Sequence, residues 1–190
     1  MGDDPRRRRG NGLWLTRARS SLARFSTRRR GLLSALRRRR LIPAIGTVSR
    51  MPLVSVTRLR VRAWRFLPAF LVAAFRSARQ ARAAPGAIHV ATLADAKRAF
   101  WTCTVWRDES SMRAFMNSGI HRKIMPRLPD WCDEAAVAHW TQASPDAPAW
   151  RDVHDPMLEI GRRSRVRFPS PAQQRFEIPS PRSRRELRFK

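Results

Sequence analysis

The stretch Phe100–His121 changes its apolar period part-way along, and that change constrains the fold more than any other feature of the chain. Phe100, Thr102, Thr104 and Trp106 point one way, and Trp101, Cys103 and Val105 the other. Bulky or β-branched residues on both sides describe a strand covered on one face and partly covered on the second. At Arg107-Asp108-Glu109-Ser110 the period becomes helical. Asp108 can cap, acidic residues sit in the first turn, and Met112, Phe115 and Met116 recur at helical spacing. Ser118-Gly119 breaks that helix, and Ile120-His121 opens a second short one.

The elements around this unit complete an alternation. Leu53–Val61 alternates as a strand whose Arg58 and Arg60 turn a polar edge outward. Trp64–Ala83 predicts a helix with an apolar stripe of Trp64, Leu67, Leu71, Ala74, Phe75 and Ala78. Pro68 falls in its first turn, where a missing N–H costs little, and Pro85-Gly86 stops it. Ala87–Leu93 and Ala99–Trp106 predict a hairpin, and Glu134–Gln142 a fourth strand. The order β-α-β-β-α-β is the ferredoxin-like pattern of an α+β fold: one antiparallel sheet with two helices on one face. A short helix is expected within Ala149–Ile160, and Arg162–Lys190 is expected to be irregular. The expected organisation is an Arg-rich extension over 1–50, a ferredoxin-like domain over 51–143 and a C-terminal helix and tail over 144–190.

Charge divides the chain in the same way. Lys and Arg total 40 against 14 Asp and Glu, a formal net charge of +26, and half of that excess, +13, lies in residues 1–50. Those residues read as a solvated nucleic-acid-binding arm, as an Arg-rich transit peptide, or as an extension upstream of a true start at Met51. Nucleic acid is expected as a partner only through that arm. The near-exclusive use of Arg also fits a GC-rich coding sequence. The longest apolar run, Phe66–Phe75, is too short to span a bilayer. Cys103 and Cys132 form no CxxC pair and match no zinc spacing, so no metal site is expected and a reduced cytoplasmic protein is the simplest reading.

The pattern W-x-D-E-x-x-M-x-x-F-x-x-S-G-x-H from Trp106 to His121, the ferredoxin-like order, and Trp131 after a basic helix resemble the antibiotic-biosynthesis-monooxygenase type of dimeric α+β barrel. Its spheroidene-monooxygenase-like branch is the more similar. The resemblance covers roughly Met51–Gly161. It implies a homodimer in which two sheets pair into a barrel, with a pocket between the sheet and helices of each protomer for a small apolar substrate or haem. Members include cofactor-free quinone-forming monooxygenases, haem-binding oxygenases and haem-degrading enzymes. The last use an Asn on the first strand. Leu53–Val61 has none, which argues against haem degradation.

The same resemblance places His121 at the position of a family histidine. After a Gly break its imidazole is expected to ligate haem iron or act as a general base; the plainer alternative is a helix-start His that bonds the backbone of Asn117 or Ser118. Asn117 is a candidate donor to a bound oxygen or carbonyl, although cap chemistry explains it equally. Arg58 and Arg60 are candidates for an anionic group such as a haem propionate, or else a charged edge that discourages aggregation. Trp106 is expected to pack under the helices, Trp101 to face a dimer interface, and Cys103 to be a small buried hydrophobe. His89 and His139 read as satisfied or exposed strand residues. No nucleophile triad, paired-carboxylate site, P-loop or dinucleotide fingerprint occurs. That leaves an oxygenase-like protein, or a non-enzymatic binding module of the same fold.

Overall fold

A computed structural model describes residues 51–182 and 185–189. All of them belong to the compact unit Gly46–Lys190. The expectations for residues 1–50 lie outside the described residues.

The β-branched alternation of Leu53–Val61 forms β1. A single turn at Trp64–Phe66 leads into α1, Leu67–Ala83, with Pro68 in its first turn. β2 (Ala87–Ala94) and β3 (Ala99–Trp106) form the expected hairpin around Asp95, whose carboxylate accepts from the N–H of Ala96. Asp108 then caps α2, Glu109–Met116, by accepting from the N–H of Ser111 at 2.8 Å. After the glycine break come α3 (Gly119–Ile124), a turn at Met125–Arg127, α4 (Leu128–Trp131) and β4 (Cys132–Thr141). These four strands pair antiparallel in the order β4-β1-β3-β2, the ferredoxin-like arrangement.

The C-terminal segment adds α5 (His154–Glu159), β5 (Arg162–Arg163), α6 (Pro171–Arg175) and β6 (Arg185–Arg188). It is irregular between these pieces, yet it is anchored at both rims of the sheet. β5 pairs with β4 and β6 with β2, so the order becomes β5-β4-β1-β3-β2-β6. Part of the open backbone of β2 and β4 is thereby paired, and the new edges are short, Arg-bearing strands, which disfavours edge-to-edge association.

The two faces of the sheet carry different cores. On one, Trp106 and Leu53 pack with Ala78 and Ala81 of α1 and Met112 and Phe115 of α2, as expected for Trp106. Val61, Phe70 and Cys132 extend that layer toward the far end of α1. On the other, Val54, Val56, Trp101, Cys103, Ala136 and Ala138 pack against Val153 and Met157, with Trp150, Phe176 and Ile178 at the margin. Trp101 was expected to face a partner's sheet. Its ring is instead fully buried by its own chain, because residues 147–178 lie across this face.

Arg58 also departs from expectation. It does not turn outward but is only 5% exposed, stacked 5.8 Å from the Trp101 ring and bonded to Glu134 on β4 at 2.6 Å. Arg60 meets Asp133 at 2.7 Å and Glu134 at 3.0 Å. The hydroxyl of Ser170, ahead of α6, donates to the second oxygen of Glu134 at 2.9 Å. Burial of a guanidinium requires a carboxylate at its head, and β4 supplies one from Glu134, the register partner of Arg60, diagonally across from Arg58.

Removing Glu134 leaves the Arg58 charge buried and unpaired. Glu134→Ala is therefore expected to destabilise the protein by about 3–5 kcal/mol in urea unfolding of the full chain, whereas Asp133→Ala, at a more exposed pair, costs about 1 kcal/mol or less. Equal losses would show that burial of Arg58 does not set the energy.

Candidate functional site at the break between α2 and α3

Gly119 adopts φ +52, in the left-handed region, and a Cβ there would lie 2.7 Å from Oε1 of Gln80. That close approach is used. Gln80, on α1, donates to the carbonyl of Ser118 at 3.1 Å and to its hydroxyl at 3.2 Å, and its Oε1 accepts from the N–H of His121 at 3.0 Å. One amide thus holds both sides of the break and fixes the start of α3 against α1. Gln80 was not identified from the sequence, because a polar residue on a mostly apolar helix carries no periodic signal. Its proximity to Ser118 arises only from the packing of α1 on α3.

The ring of His121 stands 4.6 Å from that of Phe115 at 54°, and Phe115 lies 5.2 Å from Trp106 in a near-parallel stack. The imidazole thus ends an aromatic row that begins in the helix-side core. Its Nδ1 is 3.1 Å from the carbonyl oxygen of Met116. A carbonyl only accepts, so Nδ1 carries the hydrogen and Nε2 keeps its lone pair. The partner is thus the Met116 carbonyl rather than the backbone of Asn117 or Ser118. Asn117 is the exposed C-cap of α2 on the same break, and its N–H donates to the carbonyl of Arg113.

The structure brings His121 and Asn117 to one place and does not bring Arg58 or Arg60 there. The two arginines lie on the opposite face of the sheet, committed to Glu134 and Asp133. They do not fit the part of propionate holders for a haem bound at His121.

A cavity of about 410 Å³ lies on that opposite face, between β2, β3, β6 and the loop at 146–150. His89, Cys103, Trp150, Glu186 and Arg188 line it. Burial pushes the Cys103 thiol up to about 12, so it is no nucleophile near neutral pH. Burial and the charge of Arg188 lower the His89 pKa. Trp150, Glu186 and Arg188 could not be assigned to a site from the sequence, because the loop and tail have no period that places them over β2. Among the described residues no group of three or more His, Cys, Asp or Glu is placed to hold a metal ion, and no helix is long and apolar enough to cross a membrane.

Burial lowers the His121 pKa, with the bond to Met116 pulling the other way. A histidine whose folded pKa is depressed favours folding above its unfolded pKa, and that contribution is lost as pH falls toward the folded value. NMR titration of His121 is expected to give a midpoint below 6.5, with Nδ1 protonated in the neutral form. Gln80→Ala removes the acceptor of the His121 N–H and is expected to shift the His121 resonances. A midpoint at or above 6.5 contradicts the burial argument.

Residues 52–127 match the family model for antibiotic biosynthesis monooxygenase. Three solved structures align with about half of the chain. A conserved protein of Methanosarcina mazei is 16% identical over 50% of this chain and 95% of its own, with a TM-score of 0.45. A Nitrosomonas europaea protein named for antibiotic biosynthesis monooxygenase is 16% identical over 50% and 93%, with a TM-score of 0.46. A cofactor-independent oxygenase of Streptomyces nogalater, in a mutant form, is 16% identical over 49% and 94%, with a TM-score of 0.42. Among curated proteins none matches. The match to the family model spans β1 to the turn after α3, with Gln80, Asn117 and His121 inside it.

Proposed function

We propose that the protein is a small oxygenase that takes an apolar, electron-rich substrate of the quinol or polyene class at the helix-side break, with His121 as its base. The observation that carries this reading is the tautomer. Nδ1 is held by the Met116 carbonyl, so Nε2 is a neutral base whose ring is fixed on Phe115 and Trp106. A general base of this kind works near neutral pH because burial keeps it unprotonated.

The chemistry needs only substrate and dioxygen. His121 Nε2 takes a proton from an acidic phenol or activated CH₂, and the resulting anion is electron-rich enough to reduce O₂. For a quinol, one oxygen atom enters a ring C–H bond as a hydroxyl while the two phenolic O–H groups become the carbonyls of a quinone, and the other oxygen leaves with those two hydrogens as water. Carbon loses four electrons and dioxygen gains four. The exposed Asn117 amide, which makes no side-chain hydrogen bond among the described residues, is the candidate donor to the developing oxyanion. A haem-bound reaction is the weaker form of this proposal, since Arg58 and Arg60 are committed elsewhere.

Oxygen consumption with hydroquinone-type and polyene substrates is expected for the full chain, and His121→Ala should lower turnover by roughly a hundred- to ten-thousand-fold at unchanged stability. Adding haemin is expected to produce no Soret band that His121→Ala weakens. Absence of oxygen-dependent turnover, with ligand binding that Trp150→Ala abolishes, would instead favour a non-enzymatic binding module using the cavity on the other face. The polar and aromatic lining of that cavity supports this second reading.

A further inference from the structure

We propose that α1 and the end of β6 form a docking surface for an anionic lipid membrane. α1 turns one side to the sheet through Phe70, Ala73, Ala78 and Ala81. Its other side is apolar where a solvated helix is normally polar. Leu71 is 44% exposed, Val72 59% and Phe75 51%, and Trp64 in the turn before the helix is 70% exposed. Leu71 and Phe75 are one turn apart, and Val72 lies beside them with Pro68 on the same side.

The patch does not end with the helix. Phe75 packs 5.7 Å from Phe189, at the end of the tail that completes the sheet. Leu187, two residues earlier on β6 and therefore on the same side of the strand, is 62% exposed. Two segments distant in sequence thus join in one exposed apolar surface, larger than the scattered apolar residues of an ordinary surface.

Charge selects the occupant. Trp64–Ala83 contains Arg65, Arg76, Arg79 and Arg82 and no acidic residue. All four arginines are exposed, and none takes part in the ion pairs among the described residues. A second copy of the chain seated on the same patch would bring these arginines against their own kind. A nucleic acid would satisfy the arginines and leave the apolar residues in water. An anionic bilayer interface satisfies both: Trp, Leu and Phe enter the headgroup boundary while guanidinium groups meet lipid phosphates. No membrane-spanning helix is needed for this.

The test is cosedimentation of the full chain with vesicles of equal parts phosphatidylglycerol and phosphatidylcholine, against vesicles of phosphatidylcholine alone. Wild type is expected to bind the anionic vesicles and retain a salt-resistant fraction at high ionic strength, where the attraction of the Arg-rich N-terminal residues is screened. Leu71→Gln/Val72→Gln/Phe75→Gln keeps good helix formers and every charge, and is expected to lower affinity by about tenfold or more and to remove the salt-resistant fraction. Arg76→Gln/Arg79→Gln/Arg82→Gln is expected to lower affinity for anionic vesicles by a similar factor and to reduce the preference over neutral ones to what the Arg-rich N-terminal residues supply. Circular dichroism and urea unfolding verify that both variants stay folded. Wild-type binding by the first variant, or no vesicle binding by wild type, overturns the proposal. So does a sedimenting mass that falls by half in the first variant without lipid, which would assign the patch to a second copy.

Discussion

The carboxylate of Glu134 joins the family-like core to everything that follows it. One oxygen receives Arg58, and the other receives Arg60 and the hydroxyl of Ser170. Arg58 carries its charge into a layer that otherwise holds Val54, Val56, Trp101 and Ala136, and it is tolerable there only because the Glu134 carboxylate, two residues along β4 from its register partner Ala136, reaches its guanidinium. Ser170 ties the C-terminal segment to the same point, and Gln173 continues the tie. Its amide accepts from the N–H of Ala135 and donates to the carbonyls of Ala135 and Ser164. The tail therefore adds side-chain pairing to the backbone pairing that β5 and the N–H groups of Ser164 and Ser170 make along the rim of β4.

This attachment decides how the sheet is used. A four-stranded antiparallel sheet with helices on one face leaves the other in need of cover. Here Val153, Met157, Trp150, Phe176 and Ile178 supply it from within the chain, and β5 and β6 close the two edges. The cavity beside His89 and Cys103 exists because the loop at 146–150 and β6 do not seal perfectly against β2 and β3. The helix-side site depends on a different device, the Gln80 amide across the glycine break, so the two faces can be altered separately.

The elements and their order were legible in the sequence because each relies on local periodicity. Strand alternation, the Asp108 cap, the early Pro68 and the Ser118-Gly119 break are short-range signals, and all lie where they were expected. His121 and Asn117 were legible as candidates for the same reason. Gln80, the Met116 carbonyl and the aromatic row from Trp106 to His121 were not, since each depends on which helix packs against which. Arg58 was misplaced by an argument that is sound locally: an arginine in a strand normally faces water. Its partner lies 76 residues away, and no periodicity reports it.

By itself the sequence determined a ferredoxin-like α+β unit and the segment from Trp106 to His121 in which a histidine sits beyond a glycine. Both follow from backbone preference and from apolar spacing within a few residues. Only the tertiary structure decided that Trp101 is covered by its own chain, that Arg58 is buried, that the tail pairs with both outer strands of the ferredoxin-like sheet, and that the Met116 carbonyl holds one nitrogen of His121. These depend on long-range juxtaposition, in which a residue's role is set by the charge, carbonyl or ring that the fold places against it.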